Sequence, residues 1–342
     1  MVTINYESDH FPSSPANGPA ILNSGSLSVH PARLAWAAAT VAYSPYGPSA
    51  NRRISPLEIQ WRTAMVRTSL ISRGGPFRRS TSYARLDSSE KGALSFFLGQ
   101  AQAKLFAHEL FRISRFVHYD KYLQHIGKPR SKTRPDFIGF RGDGTAIAVE
   151  AKGRSGMWDD QLVESAKEQV KALPSIAGYS DPIIYAHIAF FQRGEWTARL
   201  IDPPSHLNLL PADPAQLTVT YYEGIVAGTI GIGTGFELEE REDGNTYRRA
   251  TFPGVDASIL IRADIASLTE ESLREQPNTR EAKRPRIASL LYELALEVDS
   301  SASDVDMQES APSGPSWRDN ESFFLGGDGV GIELGSSWGG WA

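Results

Sequence analysis

The 342-residue chain contains no cysteine. That excludes a disulfide framework and a thiolate zinc ribbon, and it fits a reducing compartment. No apolar run approaches the roughly 20 residues that span a bilayer. The opening residues, Met1 to Glu7, lack the basic stretch and apolar run of a secretory leader. A cytoplasmic protein with no membrane partner is therefore expected. Charge of one sign is not in large excess: 35 Lys/Arg stand against 40 Asp/Glu, net −5. The distribution is uneven. Arg52 to Arg154 holds 20 basic and 8 acidic residues, net +12, whereas Asp299 to Ala342 holds 1 and 8, net −7. A basic segment of that size suits a phosphate polymer, and an acidic tail is placed to mask it. Gly231-Ile232-Gly233-Thr234-Gly235 lacks the Gly-Lys-Ser/Thr of a P-loop, so it reads as a turn and not as a nucleotide site.

The most informative stretch is Arg134-Pro135-Asp136-Phe137-Ile138-Gly139-Phe140, a Gly142-Asp143-Gly144 turn, and Thr145-Ala146-Ile147-Ala148-Val149-Glu150-Ala151-Lys152. It reads as a β-hairpin. Thirteen residues separate Asp136 from Glu150, so the hairpin returns Asp136, at the start of one strand, to the end of the other. Side chains alternate along a strand, which puts Glu150 and Lys152 on one face and Ala151 on the other. Two carboxylates at one sheet end repel unless a cation lies between them. Hard oxygen ligands suit Mg2+ or Mn2+. Such an ion polarises a phosphate and acidifies a bound water, and Lys152 is placed to orient that water or to stabilise developing charge.

On these residues the chain resembles the PD-(D/E)XK nuclease superfamily, the fold of many restriction enzymes and recombination exonucleases. Pro135-Asp136 matches the first element and Glu150-Ala151-Lys152 the second. The capped helix start, the following aromatic segment and the Lys152-Gly153-Arg154 ending look like a bacterial branch of it. The resemblance covers roughly residues 88 to 200. It implies a restriction-endonuclease-like α/β sandwich, a mixed central sheet flanked by helices. Asp136 and Glu150 are the implied metal ligands and Lys152 the catalytic lysine. Glu109, late in the preceding helix, is a candidate further ligand, with a solvated helix acid as the plain alternative. The implied activity is Mg2+-dependent hydrolysis of DNA, leaving 5′-phosphate and 3′-hydroxyl ends, in a restriction, anti-phage defence, mobile-element or repair setting. RNA stays open as a substrate. The alternative is a subunit that binds without cutting, or that cuts only with a partner.

Around the hairpin, Lys128, Arg130, Lys132 and Arg134 form a basic loop leading into Asp136, placed to hold a nucleic-acid strand. Arg154 is a candidate phosphate contact. Gln161 is a candidate site residue on the next helix, where Gln161, Ser165 and Gln169 share a face.

The pattern predicts four segments. Residues 1–86 form an N-terminal accessory layer, irregular to about residue 27 and then helical over His30 to Tyr43 and Pro56 to Ile71. Residues 87–202 form the nuclease core. In it the Asp87-Ser88-Ser89-Glu90 capping box opens a helix to about Phe111. Arg115 to Tyr122 follows as a strand, with helix extension the alternative. After the hairpin come a helix near Asp159 to Leu173 and strands at Asp181 to Phe191 and Trp196 to Ile201. Residues 203–298 form a β-rich extension, with strands at Leu217 to Thr229 and Tyr247 to Ile261 and an amphipathic helix from Ile287 to Val298. Residues 299–342 form an acidic tail, disordered to about Ser316, with a last hairpin around Gly327-Asp328-Gly329. Trp317, Trp338 and Trp341 suggest that this tail docks, on its own body or on a protein partner. A homodimer is also expected, since many such nucleases cut as dimers.

Overall fold

The computed structural model describes residues 1–9, 11, 21–41, 57–72, 74–128, 134–142, 145–170, 174–176, 182–202, 210–230, 236–274, 280–308 and 320–339. The chain opens with a strand. β1 (Val2–Asp9) turns Val2, Ile4, Tyr6 and Ser8 inward at period two, and β2 (Ser24–Val29) pairs with it antiparallel. This corrects the expected irregular start. The Pro, Ser and Gly residues that suggested it fall largely on 12–20, outside the described residues, while the alternation is confined to eight positions. α1 (Pro31–Thr40) and α2 (Leu57–Ser69) supply the expected helical layer.

β3 (Leu70–Ile71), β4 (Arg78–Arg79) and α3 (Thr81–Arg85) lead to α4 (Ser88–Phe111). Its capping box is closed: Glu90 N–H donates to Asp87 at 2.9 Å and Asp87 N–H to Glu90 at 3.0 Å. β5 (Phe116–His118) is shorter than expected, because the chain turns at Tyr119 into α5 (Tyr119–His125). β6 (Phe137–Phe140) and β7 (Ala146–Gly153) form the expected hairpin, Phe137 opposite Val149; the Asp143-Gly144 tip lies outside the described residues. Next come α6 (Asp160–Val170), the short β8 (Pro174–Ile176), β9 (Ile183–Gln192) and β10 (Glu195–Ile201). Arg193 at φ 51° and Gly194 at φ 85° make the left-handed turn between the last two.

One sheet takes these strands in the order β2-β1-β10-β9-β7-β6-β5, with β4 beside β10 and β3 beside β4. It is mixed: β7 runs parallel to β9 and antiparallel to β6. α4 covers one face, where Gln102 meets His187 at 3.0 Å. α6 covers the other, its Leu162, Val163 and Ala166 packing on Ala186, Ile188 and Phe190. The architecture is α/β with a mixed sheet flanked by helices.

Beyond β10, the short β11 (Leu210–Ala212) pairs with β8, and the expected strand at Leu217 to Thr229 is instead a helix, α7 (Pro214–Thr229). Thirteen of its 16 residues are buried, so it carries no polar face and no 3.6-residue period. Its Thr, Val, Tyr and Ile content mimics a buried strand. The signal that marks it is Asp213, whose carboxylate accepts from Ala215 N–H at 2.9 Å, followed by Pro214 in the first turn. β12 (Glu237–Glu240), β13 (Thr246–Phe252) and β14 (Ala257–Arg262) form a second sheet, with α8 (Ala263–Arg274) and α9 (Arg280–Gln308) packed beside α7.

β15 (Phe323–Leu325) and β16 (Val330–Leu334) make the predicted terminal hairpin, and β16 pairs with β14 inside that second sheet. The expected disorder from Asp299 is corrected in part. α9 runs on to Gln308, and Asp299 accepts from the buried Arg115 guanidinium; residues 309–319 lie outside the described residues. Trp338 is buried, with its indole N–H on Val255 O at 2.9 Å. The hairpin tip enters the body: Lys104 Nζ lies 2.7 Å from Tyr221 Oη and 4.0 Å from Asp328, and Tyr221 donates to Asp328. One continuous apolar core joins Ile4, Leu34, Phe106, Val149, Tyr222, Ile259 and Phe324, so all four predicted segments share it. Among the described residues no helix is long and apolar enough to cross a membrane.

Candidate active site

The site is set by β7 and by what lies against its end. Parallel register puts Glu150 beside Ala186 and Lys152 beside Ile188, so both side chains emerge on the α6 face. Antiparallel register with β6 brings Asp136, one residue before that strand, across from Glu150. Asp136 Oδ2 accepts from Ala151 N–H at 3.0 Å, which clips the β6 entry to the β7 end. A close approach fixes the other side. A Cβ on Gly153 would sit 1.7 Å from Ser95 O, and a Cβ on Gly99 would sit 2.9 Å from the Gly153 Cα. Only glycines let α4 lie directly on the backbone of Lys152 and Gly153.

Glu150 is 1% exposed. Lys152 Nζ reaches its Oε1 at 2.5 Å, and Oε2 is buried without a hydrogen-bond partner. The carboxyl is pushed up to about 8, by burial first and then by the neighbouring Asp136, against the pull of Lys152. Burial pushes the Asp136 carboxyl up as well, while Ala151 N–H and Lys152 draw it down. A buried acid and a half-buried one thus share a place where one proton, or one cation, relieves their repulsion. Lys152 Nζ also donates to Gln169 Oε1 at 2.5 Å.

Of the sequence candidates, Asp136, Glu150 and Lys152 come together. Glu109 does not. It belongs to α4, on the opposite face of the sheet, and its carboxylate is held by Arg33 at 2.7 Å. It lies ten residues past Gly99, about 15 Å along the helix. Arg134 reaches the site, but two of its guanidinium N–H groups donate to Asp120, so it serves a carboxylate. Lys128 and Arg154 are exposed. Arg130 and Lys132 lie outside the described residues. Gln161 is exposed in the first turn of α6, and Gln169, two turns on along the row of Gln161 and Ser165, is the residue that meets Lys152. Asp120 was not foreseen: it raises the Asp136 carboxyl and anchors Arg134. Its signal in the sequence, an acid in the first turn of a short helix, is common on any surface.

Comparison with protein-family models, curated proteins and solved structures gave no match. The site is therefore read from its own chemistry. Among the described residues no group of three or more His, Cys, Asp or Glu is placed to hold a metal. The donor set is two carboxylates, one with a buried oxygen that accepts nothing. Two carboxylates suit Mg2+ or Mn2+, which bind through one or two acids and complete their shell with water and phosphate oxygen. They do not suit a closed structural zinc site.

Proposed function

We propose that the chain is a metal-dependent phosphodiester hydrolase, a nuclease of the PD-(D/E)XK type acting on DNA. The observation that carries this is the convergence of Asp136, Glu150 and Lys152 at one strand end, with Glu150 Oε2 buried and unpartnered. The order of helix, strand, hairpin, helix and strand around it supports the family resemblance. Asp136 and Glu150 would hold Mg2+ or Mn2+. Such an ion supplies phosphate polarisation and a more acidic water. Lys152, oriented by Gln169, donates toward charge developing on the phosphate. Arg134 and Asp120 hold the entry to β6 in place.

The test is cleavage of plasmid and linear DNA by the purified protein with Mg2+ or Mn2+, beside Asp136→Ala and Lys152→Ala. Cutting by the wild type that both substitutions abolish is expected. Cutting that survives Asp136→Ala would refute the assignment.

The bond between Lys152 and Glu150 favours one second reading. A lysine held on the acid describes a resting site that opens only with a partner, as in a subunit of a defence or transposition complex. Cleavage that appears only when a partner is added would select it.

A further inference from the structure

Among the described residues only two aromatic side chains are exposed, Trp61 at 42% and Phe96 at 44%. They belong to different helices, α2 and α4, and meet at one ring. Phe97 lies 4.5 Å from Trp61 at 89° and 5.1 Å from Phe96 at 77°, centroid to centroid. The Arg62 guanidinium carbon sits 5.6 Å from the Phe97 centroid. Every other aromatic described is buried or partly buried, so these two rings stand out from the way this chain places aromatics.

Their position gives them a use. Phe96 and Phe97 fall within Ser95–Gly99, the part of α4 that lies against Lys152 and Gly153; Phe96 N would be 2.9 Å from a Cβ on Gly153. Glu150 is three residues back along β7, about 10 Å. Arg154, exposed, follows Gly153 directly. The open aromatics thus sit on the α4 side of the sheet, at the end of the strand whose acids and lysine emerge on the α6 side. A nucleic-acid strand reaching both passes round that end, where Arg154 is exposed. Arg62, buried and held by Glu58 at 2.9 Å, backs the Phe97 ring. Bases within a duplex are stacked on one another and offer no free face to a ring. An unpaired base does, and aromatic platforms beside cations are the usual means of holding single strands.

We infer that the site takes its DNA as a single strand or a frayed end, with an unpaired base stacked on the Trp61–Phe97–Phe96 platform. This rests on the nuclease reading above and names the form of its substrate.

The probes are a fluorescein-labelled oligothymidylate and a blunt duplex of equal length, bound to full-length protein in EDTA so that nothing is cut. The wild type is expected to prefer the single strand and to lose tryptophan fluorescence on binding it. Trp61→Ala and Phe96→Ser should each weaken single-strand binding by roughly 5- to 150-fold. Duplex binding should change less than about twofold on the same reasoning. Trp61→Phe and Phe96→Trp should restore single-strand affinity. Equal losses on both probes, no loss on either, or no binding by the wild type would overturn the inference. So would an unchanged single-strand affinity with a fall in oligomer mass, which would make the patch a protein interface. The two readings fail separately. Ring-dependent binding by a protein that never cuts removes the nuclease and keeps the platform. Cutting with no ring dependence does the reverse.

Discussion

Replacing Gly153 with alanine adds one carbon at the place where α4 meets the end of β7. That carbon would lie 1.7 Å from Ser95 O and 2.4 Å from the carbonyl carbon. Close C···O contacts run near 3.3 Å, so helix and strand must part by roughly 1.5 Å. The obstacle is backbone and has no rotamer to yield. Alanine does bring one benefit: Gly153 is not at positive φ, so the substitution restricts the unfolded chain and favours folding by about 0.4–1 kcal/mol. Overpacking a tight contact typically costs about 1–3 kcal/mol. The steric effect wins, and a net loss of roughly 1–2 kcal/mol is expected. Gly156 is the control, since nothing lies within 4 Å of its added Cβ. Urea unfolding of Gly153→Ala, Gly156→Ala and wild type measures the difference. Because Lys152 adjoins the moved residue, cleavage should fall by about 100-fold, the usual loss for a misplacement near 1 Å. Stability of Gly153→Ala within about 0.5 kcal/mol of the control would refute the close approach, since that is the spread of ordinary surface changes.

Other consequences concern charge. Glu150 titrates near 8 in the fold against an ordinary value of 4.5. Between those values the folded state keeps a proton that the unfolded chain releases. Stability in EDTA should therefore fall as pH rises through that window, by about 1.4 kcal/mol per unit. Glu150→Gln should flatten the slope, and parallel slopes for variant and wild type would count against a buried, proton-holding Glu150. At the tail, Asp328→Ala strips the buried Lys104 of its counter-charge and Val330 N–H of its 3.1 Å acceptor. A loss of about 3–5 kcal/mol is expected in urea unfolding. Adding Lys104→Met should recover part of it, and strictly additive losses would show that the two groups do not interact. Gln169→Ala should slow cleavage about tenfold or more by freeing the Lys152 ammonium, while Gln161→Ala leaves the rate unchanged; equal effects would refute the assignment of Gln169.

What the sequence determined by itself was local. The α4 capping box, the β6–β7 hairpin, the β9–β10 turn and the terminal hairpin each rest on residues within a few positions of one another. Alternation along β7 alone put Glu150 and Lys152 on a common face. Tertiary structure decided the rest. β1 finds its parallel partner about 190 residues later, at Asn5 opposite Thr197, and no local pattern encodes that distance. α7 is buried on nearly every side, which erases the period that would have marked it as a helix. Glu109 has the right residue type in the right helix, yet α4 lies on the far face of the sheet from Glu150, where Arg33 holds that acid. Gln169 displaced Gln161 because the turn between β7 and α6 sets which of two equivalent positions on one helix face reaches Lys152. Spacing along the chain names the chemical groups of a site. Which of them meet is fixed by how the layers stack, and that depends on packing between residues far apart in sequence.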